Sequence, residues 1–155
     1  MIKKISPYFC LVARLWVGGL FLFSGWIKAV EPYENFRGVL AQYGLLPAAL
    51  TPVIAQVVPW LELSAGLFLV VGYALPLAAL AAAMLSGSFV TLIALSFALG
   101  APVPLHCGCF GSAIQLSPVQ ILVLDVLNSI LTLTLFWQRP SFLTLDRLFV
   151  KSTQA

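Results

Sequence analysis

Charged residues are scarce in this sequence. Eight Lys and Arg together with five Asp and Glu make up 8% of the 155 residues, whereas an ordinary soluble domain carries about 25%. So few charges exclude a soluble globular protein. They also exclude a disordered chain, which combines low hydrophobicity with high charge. The formal net charge of +3 comes from scattered residues and forms no basic stripe, so no nucleic-acid partner is expected.

Apolar residues are abundant instead, at 61% of the chain, and they occur in long unbroken runs. A hydrocarbon core about 30 Å thick needs about 20 apolar residues per helix. Four runs meet this requirement and predict spans over about residues 8–29, 52–73, 76–99 and 118–138. The runs do not alternate in short segments as barrel strands do. The sequence therefore predicts one membrane domain over residues 1–155, an all-α, polytopic four-helix bundle in a lipid bilayer.

The positions of the cations predict the orientation of these helices. Lys3 and Lys4 precede the first span, Arg139 and Lys151 follow the last, and the loop between the third and fourth spans has no Lys or Arg. By the positive-inside rule, both termini lie in the cytoplasm. The loops after the first and third spans then face outward, which in the inner membrane of a bacterium means the periplasm.

The first outer loop has the pattern of a short helix. Tyr33, Phe36, Leu40 and Tyr43 recur at helical spacing, with polar residues between them. This amphipathic pattern predicts a short helix lying in the membrane interface. Two roles are open for it: a tether anchored by aromatic side chains, or a functional lid.

The third loop carries the strongest chemical signal, two cysteines separated by one glycine. An extracytoplasmic loop permits disulfides. A disulfide across one residue closes a small, strained ring, and strained disulfides are the more oxidising ones, suited to exchange. The glycines leave room for a partner thiol to attack, and the histidine could help to hold a neighbouring sulfur as thiolate. The motif consists of His106, Cys107, Gly108, Cys109, Phe110 and Gly111.

Three interpretations of this cysteine pair remain open. Redox exchange is favoured, because a static disulfide over one residue removes little loop entropy and is a poor staple. A structural bridge that pins the loop is the second. Metal binding is the third, but His106, Cys107 and Cys109 supply three ligands, whereas a structural zinc site has four. No metal is therefore assigned, although a soft ion such as Cu(I) would accept these ligands.

Cys10 is expected to stand apart from the pair. It lies about 18 residues from the outer end of the first span, or roughly 27 Å at helical rise, which no disulfide bridges. The chain then has a dithiol on one side only and cannot relay electron pairs across the membrane through thiols alone. Either a second protein or a lipid-soluble carrier such as a quinone must close the cycle.

Three charged residues fall deep inside the spans, namely Arg14, Glu62 and Asp125, and Lys28 at the outer end of the first span is grouped with them as a candidate for buried charge or proton relay. Charges at such depths are costly unless they are paired. Counting helical rise from the span ends puts Arg14 within about one turn of the level of Glu62, so an Arg14–Glu62 or Arg14–Asp125 ion pair is expected. The pair would fix helix register, or the carboxylate left over would relay protons released by thiol oxidation or quinone chemistry.

Small residues mark faces where helices can approach closely. Gly18, Gly19 and Gly25 lie in the first span, and Ala79, Ala83 and Gly87 lie four apart in the third. In lipid, such residues allow backbones to pack against each other. Packing is the expected role for both sets.

Together these features resemble the DoxX-like membrane proteins and, within them, the MauE branch associated with methylamine utilisation and redox accessory functions. The similarity runs from the first span into the third loop, so it covers most of the chain. It lies in Arg14, in Phe23-Ser24-Gly25 followed by Lys28, in Leu45-Leu46-Pro47, in Pro59-Trp60-Leu61-Glu62 with Gly66, and in Cys107-Gly108-Cys109-Phe110-Gly111.

The resemblance implies a four-helix membrane fold and a role in thiol and disulfide handling beside periplasmic thioredoxin-like proteins. By position, Cys107 and Cys109 would be the redox pair, and Arg14, Lys28 and Glu62 would be the polar positions of the family. Relatives often carry an Arg near the start of the last span, where this chain has an aspartate. Any anion contact made by that Arg is not carried over to this chain.

The predicted function is that of an integral membrane thiol-disulfide oxidoreductase, or its redox accessory subunit, which exchanges disulfides with an extracytoplasmic partner. The alternative is a non-catalytic membrane protein: a permease for a small solute or metal, or an assembly factor for a respiratory or dehydrogenase complex. In the alternative, Arg14, Glu62 and Asp125 would line a pathway and the cysteines would stabilise its mouth or capture metal.

Overall fold

A computed structural model describes residues 6–104, 114 and 116–138 of the chain. The described residues form helices and no strands, so the all-α prediction is confirmed. Four of the helices are long and apolar enough to cross a membrane, and their ends lie within two residues of the predicted spans. In chain order the helices are α1 (Pro7–Val30), α2 (Tyr33–Gln42), α3 (Thr51–Val71), α4 (Leu75–Leu99) and α5 (Pro118–Gln138).

Proline and glycine set several of the helix ends. A proline occupies the first turn of α1, α3 and α4. A backbone N–H at this position has no acceptor within the helix, so the proline costs no hydrogen bond. Gly72 and Gly100 follow α3 and α4 in the left-handed conformation, with φ of 74° and 62°, which glycine adopts without a Cβ clash. Since three residues, 72–74, join α3 to α4, these two helices run antiparallel.

The closest helix contact lies between α1 and α3. A Cβ added to Gly25 would lie 2.8 Å from the carbonyl oxygen of Pro59, and one added to Gly66 would lie 2.8 Å from that of Gly18. The backbones therefore meet directly, as expected for Gly18 and Gly25. The expectation is wrong for Gly19, because a Cβ there would meet nothing within 4 Å. The same holds for Gly87 on α4, which has open space beside it.

The apolar face of α2 packs onto the helix bundle. Phe36 and Leu40 form a buried cluster with Ala55 of α3, and Tyr43 packs with Ile93 of α4. The short helix predicted in the first loop is therefore present, but three of the four side chains expected to anchor it in lipid contact protein, and Tyr33 alone of the four is exposed. α2 lies over the end of the bundle where α1 ends and α3 begins. We refer to this end as the covered end.

The connection between α4 and α5 also starts and finishes at the covered end. Val103, just after α4, and Leu116, just before α5, pack against the cluster of Tyr43, Ile93 and Ile121. The segment that carries the two neighbouring cysteines is thus attached at both sides beside α2, while the cysteines themselves lie outside the described residues.

Candidate functional site

A buried ion pair lies between α1 and α3. The Nζ atom of Lys28 is 2.7 Å from Oε1 and 2.9 Å from Oε2 of Glu62, and the two side chains are 1% and 5% exposed. Lys28 also donates to the Ser24 hydroxyl at 2.9 Å, and that hydroxyl donates to Glu62 Oε2 at 3.0 Å. An ammonium has three N–H donors, and here each has an acceptor.

Helix geometry explains why these three side chains meet. Ser24 and Lys28 are four residues apart, so they lie on one face of α1. Gly25, between them, lets the α3 backbone approach, and an added Cβ would be 3.0 Å from Cβ of Glu62. The close helix contact therefore brings the carboxylate to the lysine.

Two aromatic rings cover the ammonium group of Lys28. The Nζ atom lies 4.9 Å from the ring centroid of Phe36 on α2 and 5.4 Å from that of Phe89 on α4. Both distances are within the range of a cation–π interaction. Since Phe36 belongs to α2, the short helix lies over the ion pair.

A small cavity borders the ion pair. It has a volume of about 30 Å³, and Lys28 and Glu62 line it together with Ser86 of α4 and with Asp125 and Asn128 of α5. One water needs about 10–15 Å³ by this measure, so the cavity has room for about two. The Ser86 hydroxyl and the Asn128 Oδ1 atom are buried and have no hydrogen-bond partner in the described part of the chain.

The cluster carries one negative charge too many when both carboxylates are ionised. Glu62 is matched by Lys28, but no hydrogen bond or ion pair from a described residue reaches the carboxylate of Asp125. Placing an uncompensated charge in a low-dielectric site is costly. The cavity therefore favours one further positive charge, either a proton or a small cation.

The predicted ion pairs of Arg14 are wrong. Arg14 is buried, at 4% exposure, but it precedes Lys28 by 14 residues, or about 21 Å along α1. Because Lys28 contacts Glu62 and shares a cavity with Asp125, both carboxylates are out of reach of Arg14. The error was in helix register: Gly25 lies level with Glu62, and Arg14 lies several turns away.

The predicted cysteine motif lies outside the described residues. This applies to His106, Cys107, Gly108, Cys109, Phe110 and Gly111. Cys10 is a buried free thiol, in line with the expectation that it stands apart. Within the described ranges, no group of three His, Cys, Asp or Glu side chains could hold a metal ion.

Sequence reasoning missed several members of the site. Ser24, Phe89, Ser86 and Asn128 all contact the ion pair or line the cavity. Spacing could have indicated two of these four residues: Ser24 lies four residues before Lys28, and Asn128 lies three residues after Asp125 on α5. Polar residues at these spacings share a helix face. Nothing in the local sequence indicates Phe89 or Ser86.

Comparison with known proteins gives a consistent family match. The family model of methylamine utilisation protein MauE matches residues 6–138, which include all five helices. Methylamine utilization protein MauE of Methylophilus methylotrophus is 36% identical over 104 residues, which are 67% of this chain and 54% of that protein. The chain thus spans about half the length of the curated relative it matches. No solved structure matches the chain.

Proposed function

The chain belongs to the MauE family, and we propose that it serves methylamine utilisation as a redox accessory protein of the bacterial inner membrane. In this proposal Cys107 and Cys109 exchange disulfides with a thioredoxin-like protein outside the cytoplasm. One thiolate attacks the disulfide of the partner and forms a mixed disulfide. The second thiolate resolves it, so that the partner leaves as a dithiol and the pair is oxidised; the reverse reaction reduces the pair.

The observation that carries the proposal is the Cys-Gly-Cys motif in a chain of this family. The geometry supports the proposal through the way in which the loop that carries the motif is attached to the bundle. Val103 and Leu116 on either side of the motif pack against Tyr43 and Ile121 at the covered end. A reactive loop held at one end of a rigid bundle can meet a partner protein without leaving the membrane.

The proposal requires a second redox partner. Each exchange leaves the cysteine pair in the opposite oxidation state, and Cys10 is buried near the other end of α1, so it cannot restore that state. We propose that a second protein or a lipid-soluble carrier such as a quinone accepts or supplies the electron pair.

Alkylation of membranes tests whether the pair is redox active. In a Cys10→Ser variant we expect two cysteines to become alkylated after treatment with a mild reductant, and to be protected again after reoxidation. A variant that also carries Cys107→Ser and Cys109→Ser is the matched control, in which no gel shift should appear. A pair that stays oxidised under all mild reductants contradicts exchange and supports a structural bridge.

Trapping of the mixed disulfide tests the partner. Replacing only one of the two cysteines by serine removes the resolving thiol, so we expect one single variant to accumulate a covalent adduct that reductant dissolves. The double variant should form no adduct and should lose growth on methylamine. Growth that survives in the double variant would indicate a non-catalytic role, such as an assembly factor or permease.

A further inference from the structure

Two buried oxygens without a hydrogen-bond partner face the cavity beside the ion pair, and a partly buried carboxylate lines the cavity with them. The Ser86 hydroxyl belongs to a residue that is 1% exposed, and the Asn128 Oδ1 atom to one that is 2% exposed. Neither has a hydrogen-bond partner among the residues that the structure describes. The Asp125 carboxylate lines the same cavity. Buried oxygens such as those of Ser86 and Asn128 are normally bonded to something, and a carboxylate beside them attracts a cation, so the three groups together point to a positively charged occupant that donates hydrogen bonds.

Charge and size restrict what the occupant can be. Lys28 balances Glu62, and the second carboxylate leaves the cluster one positive charge short. The cavity volume of about 30 Å³ admits about two water-sized atoms. The part of the occupant that enters the cavity therefore has a single positive charge, about two non-hydrogen atoms and several N–H or O–H donors.

We propose that this cavity binds a small primary ammonium ion, either ammonium or methylammonium. Such an ion supplies one charge and at least three N–H donors, which match the carboxylate of Asp125, the hydroxyl of Ser86 and the amide oxygen of Asn128. Amines of this type are protonated at neutral pH, as the lysine side chain is. The inference concerns binding alone and does not depend on the cysteine pair.

The site already holds one alkylammonium group of its own. The ammonium of Lys28 is bound by a carboxylate, a hydroxyl and the face of Phe89. The proposed ion would have contacts of the same three kinds, because Phe89 lines the cavity beside the carboxylate of Asp125 and the hydroxyl of Ser86. With both ammonium groups present, two positive charges balance two carboxylates.

Other occupants fit less well. A divalent metal ion prefers six or more oxygen ligands, whereas the cavity offers one free carboxylate and two neutral oxygens next to a lysine. A sodium ion would satisfy the charge and the three oxygens could coordinate it, but they leave its coordination shell incomplete, and the sodium chloride titration below tests this occupant directly. Two waters with a proton on Asp125 are the main competitor, and the experiment separates them from the amine.

Thermal unfolding of the purified full-length protein in detergent tests the inference. Methylammonium chloride and ammonium chloride are titrated at constant ionic strength against sodium chloride and tetramethylammonium chloride. We expect a saturable rise in Tm with the first two salts and no rise with tetramethylammonium, which is too large. The Asp125→Asn variant should bind methylammonium at least about tenfold more weakly.

A milder variant and a matched control complete the test. Ser86→Ala removes one acceptor with little change in volume and should weaken methylammonium binding without preventing folding. Glu34→Gln removes an exposed carboxylate on α2 and should leave binding unchanged. The Cys107→Ser, Cys109→Ser double variant should bind as the wild type does.

Three results would overturn the inference. Equal stabilisation by sodium would show a general salt effect, and equal stabilisation by tetramethylammonium would place the binding outside the cavity. A Tm that follows pH with no response to either amine would assign the cavity to water and a proton. Each of these results leaves disulfide exchange by the cysteine pair untouched, so the two proposals fail separately.

Discussion

Lys28 and Glu62 form a fully bonded ion pair in the interior of the helix bundle. All three donors of the ammonium group have acceptors, and two aromatic rings lie over the nitrogen. Attraction within such a pair roughly offsets the cost of removing both charges from water. Losing one partner is different, because the other is then buried without compensation.

Single and double replacements of the pair test this asymmetry. We expect Lys28→Met to lower the free energy of unfolding by about 3–5 kcal/mol, and Lys28→Met combined with Glu62→Leu to recover most of that loss. Denaturant unfolding of the purified protein in mixed micelles measures both values. Glu34→Gln on the exposed side of α2 is the control and should change stability by less than about 0.5 kcal/mol. A double variant no more stable than the single one would contradict a pairwise role.

The identity of the buried pair could not be predicted from the sequence. The charges themselves were evident, since they stand in apolar runs where they are costly. Their depth was not, because helical rise counted from a span end assumes that every helix starts at the same level. α3 begins 11 residues before Glu62, whereas α1 ends two residues after Lys28. That offset depends on helix packing, which no single stretch of sequence encodes.

The contact between α1 and α3 depends on glycine at the points where the backbones meet. Gly18 and Gly25 on α1 and Gly66 on α3 leave no space for a Cβ. Helices in lipid associate through such close packing, since the surrounding tails are as apolar as their side chains. The position of Glu62 beside Lys28 follows from this contact.

A matched pair of alanine substitutions in α1 tests this contact. Gly25→Ala puts a methyl group 2.8 Å from a backbone oxygen of α3, and because backbone cannot move aside cheaply we expect a loss of about 1–3 kcal/mol. Gly19→Ala faces open space and should be neutral or slightly stabilising, because alanine favours helix. Denaturant unfolding measures both. Equal effects of the two substitutions would show that the contact does not determine stability.

α2 illustrates what periodicity predicts and what it leaves open. The spacing of Phe36, Leu40 and Tyr43 correctly identified a helix and its apolar face. It did not show whether that face meets lipid or protein, because hydrophobic spacing indicates which side chains avoid water and not what they contact. In the structure the face meets α3 and α4, so α2 covers the ion pair.

Within the part of the chain that the structure describes, the short helix and the turns lie at two opposite ends of the bundle. α2 and both sides of the cysteine loop share the covered end, and the turn at residues 72–74 lies at the other. The number and length of the long helices could be predicted, because bilayer thickness fixes how many apolar residues a crossing needs. The cysteine motif was equally evident, but its geometry lies outside the described residues.

Cysteine labelling tests the orientation predicted from the cations. In a chain whose three native cysteines are replaced by serine, we expect a membrane-impermeant maleimide to modify Gly38→Cys on α2 in intact cells. Tyr73→Cys, in the turn at the opposite end, should react only after the membrane is opened. Both positions are exposed, and Gly38 has open space beside it, whereas Tyr73→Cys gives up the contact of the Tyr73 ring with Phe68. The reverse labelling pattern would invert the topology.

The salt bridge joins residues that are 34 positions apart, and this has a consequence for biogenesis. A nascent chain that ends soon after α1 holds an isolated cation in a membrane segment, which is costly. Once α3 has been synthesised, the anion is available, although α4 and α5 do not yet exist. We therefore expect the insertion machinery to retain α1 until α3 arrives and to release the two as a hairpin, onto which the later segments assemble.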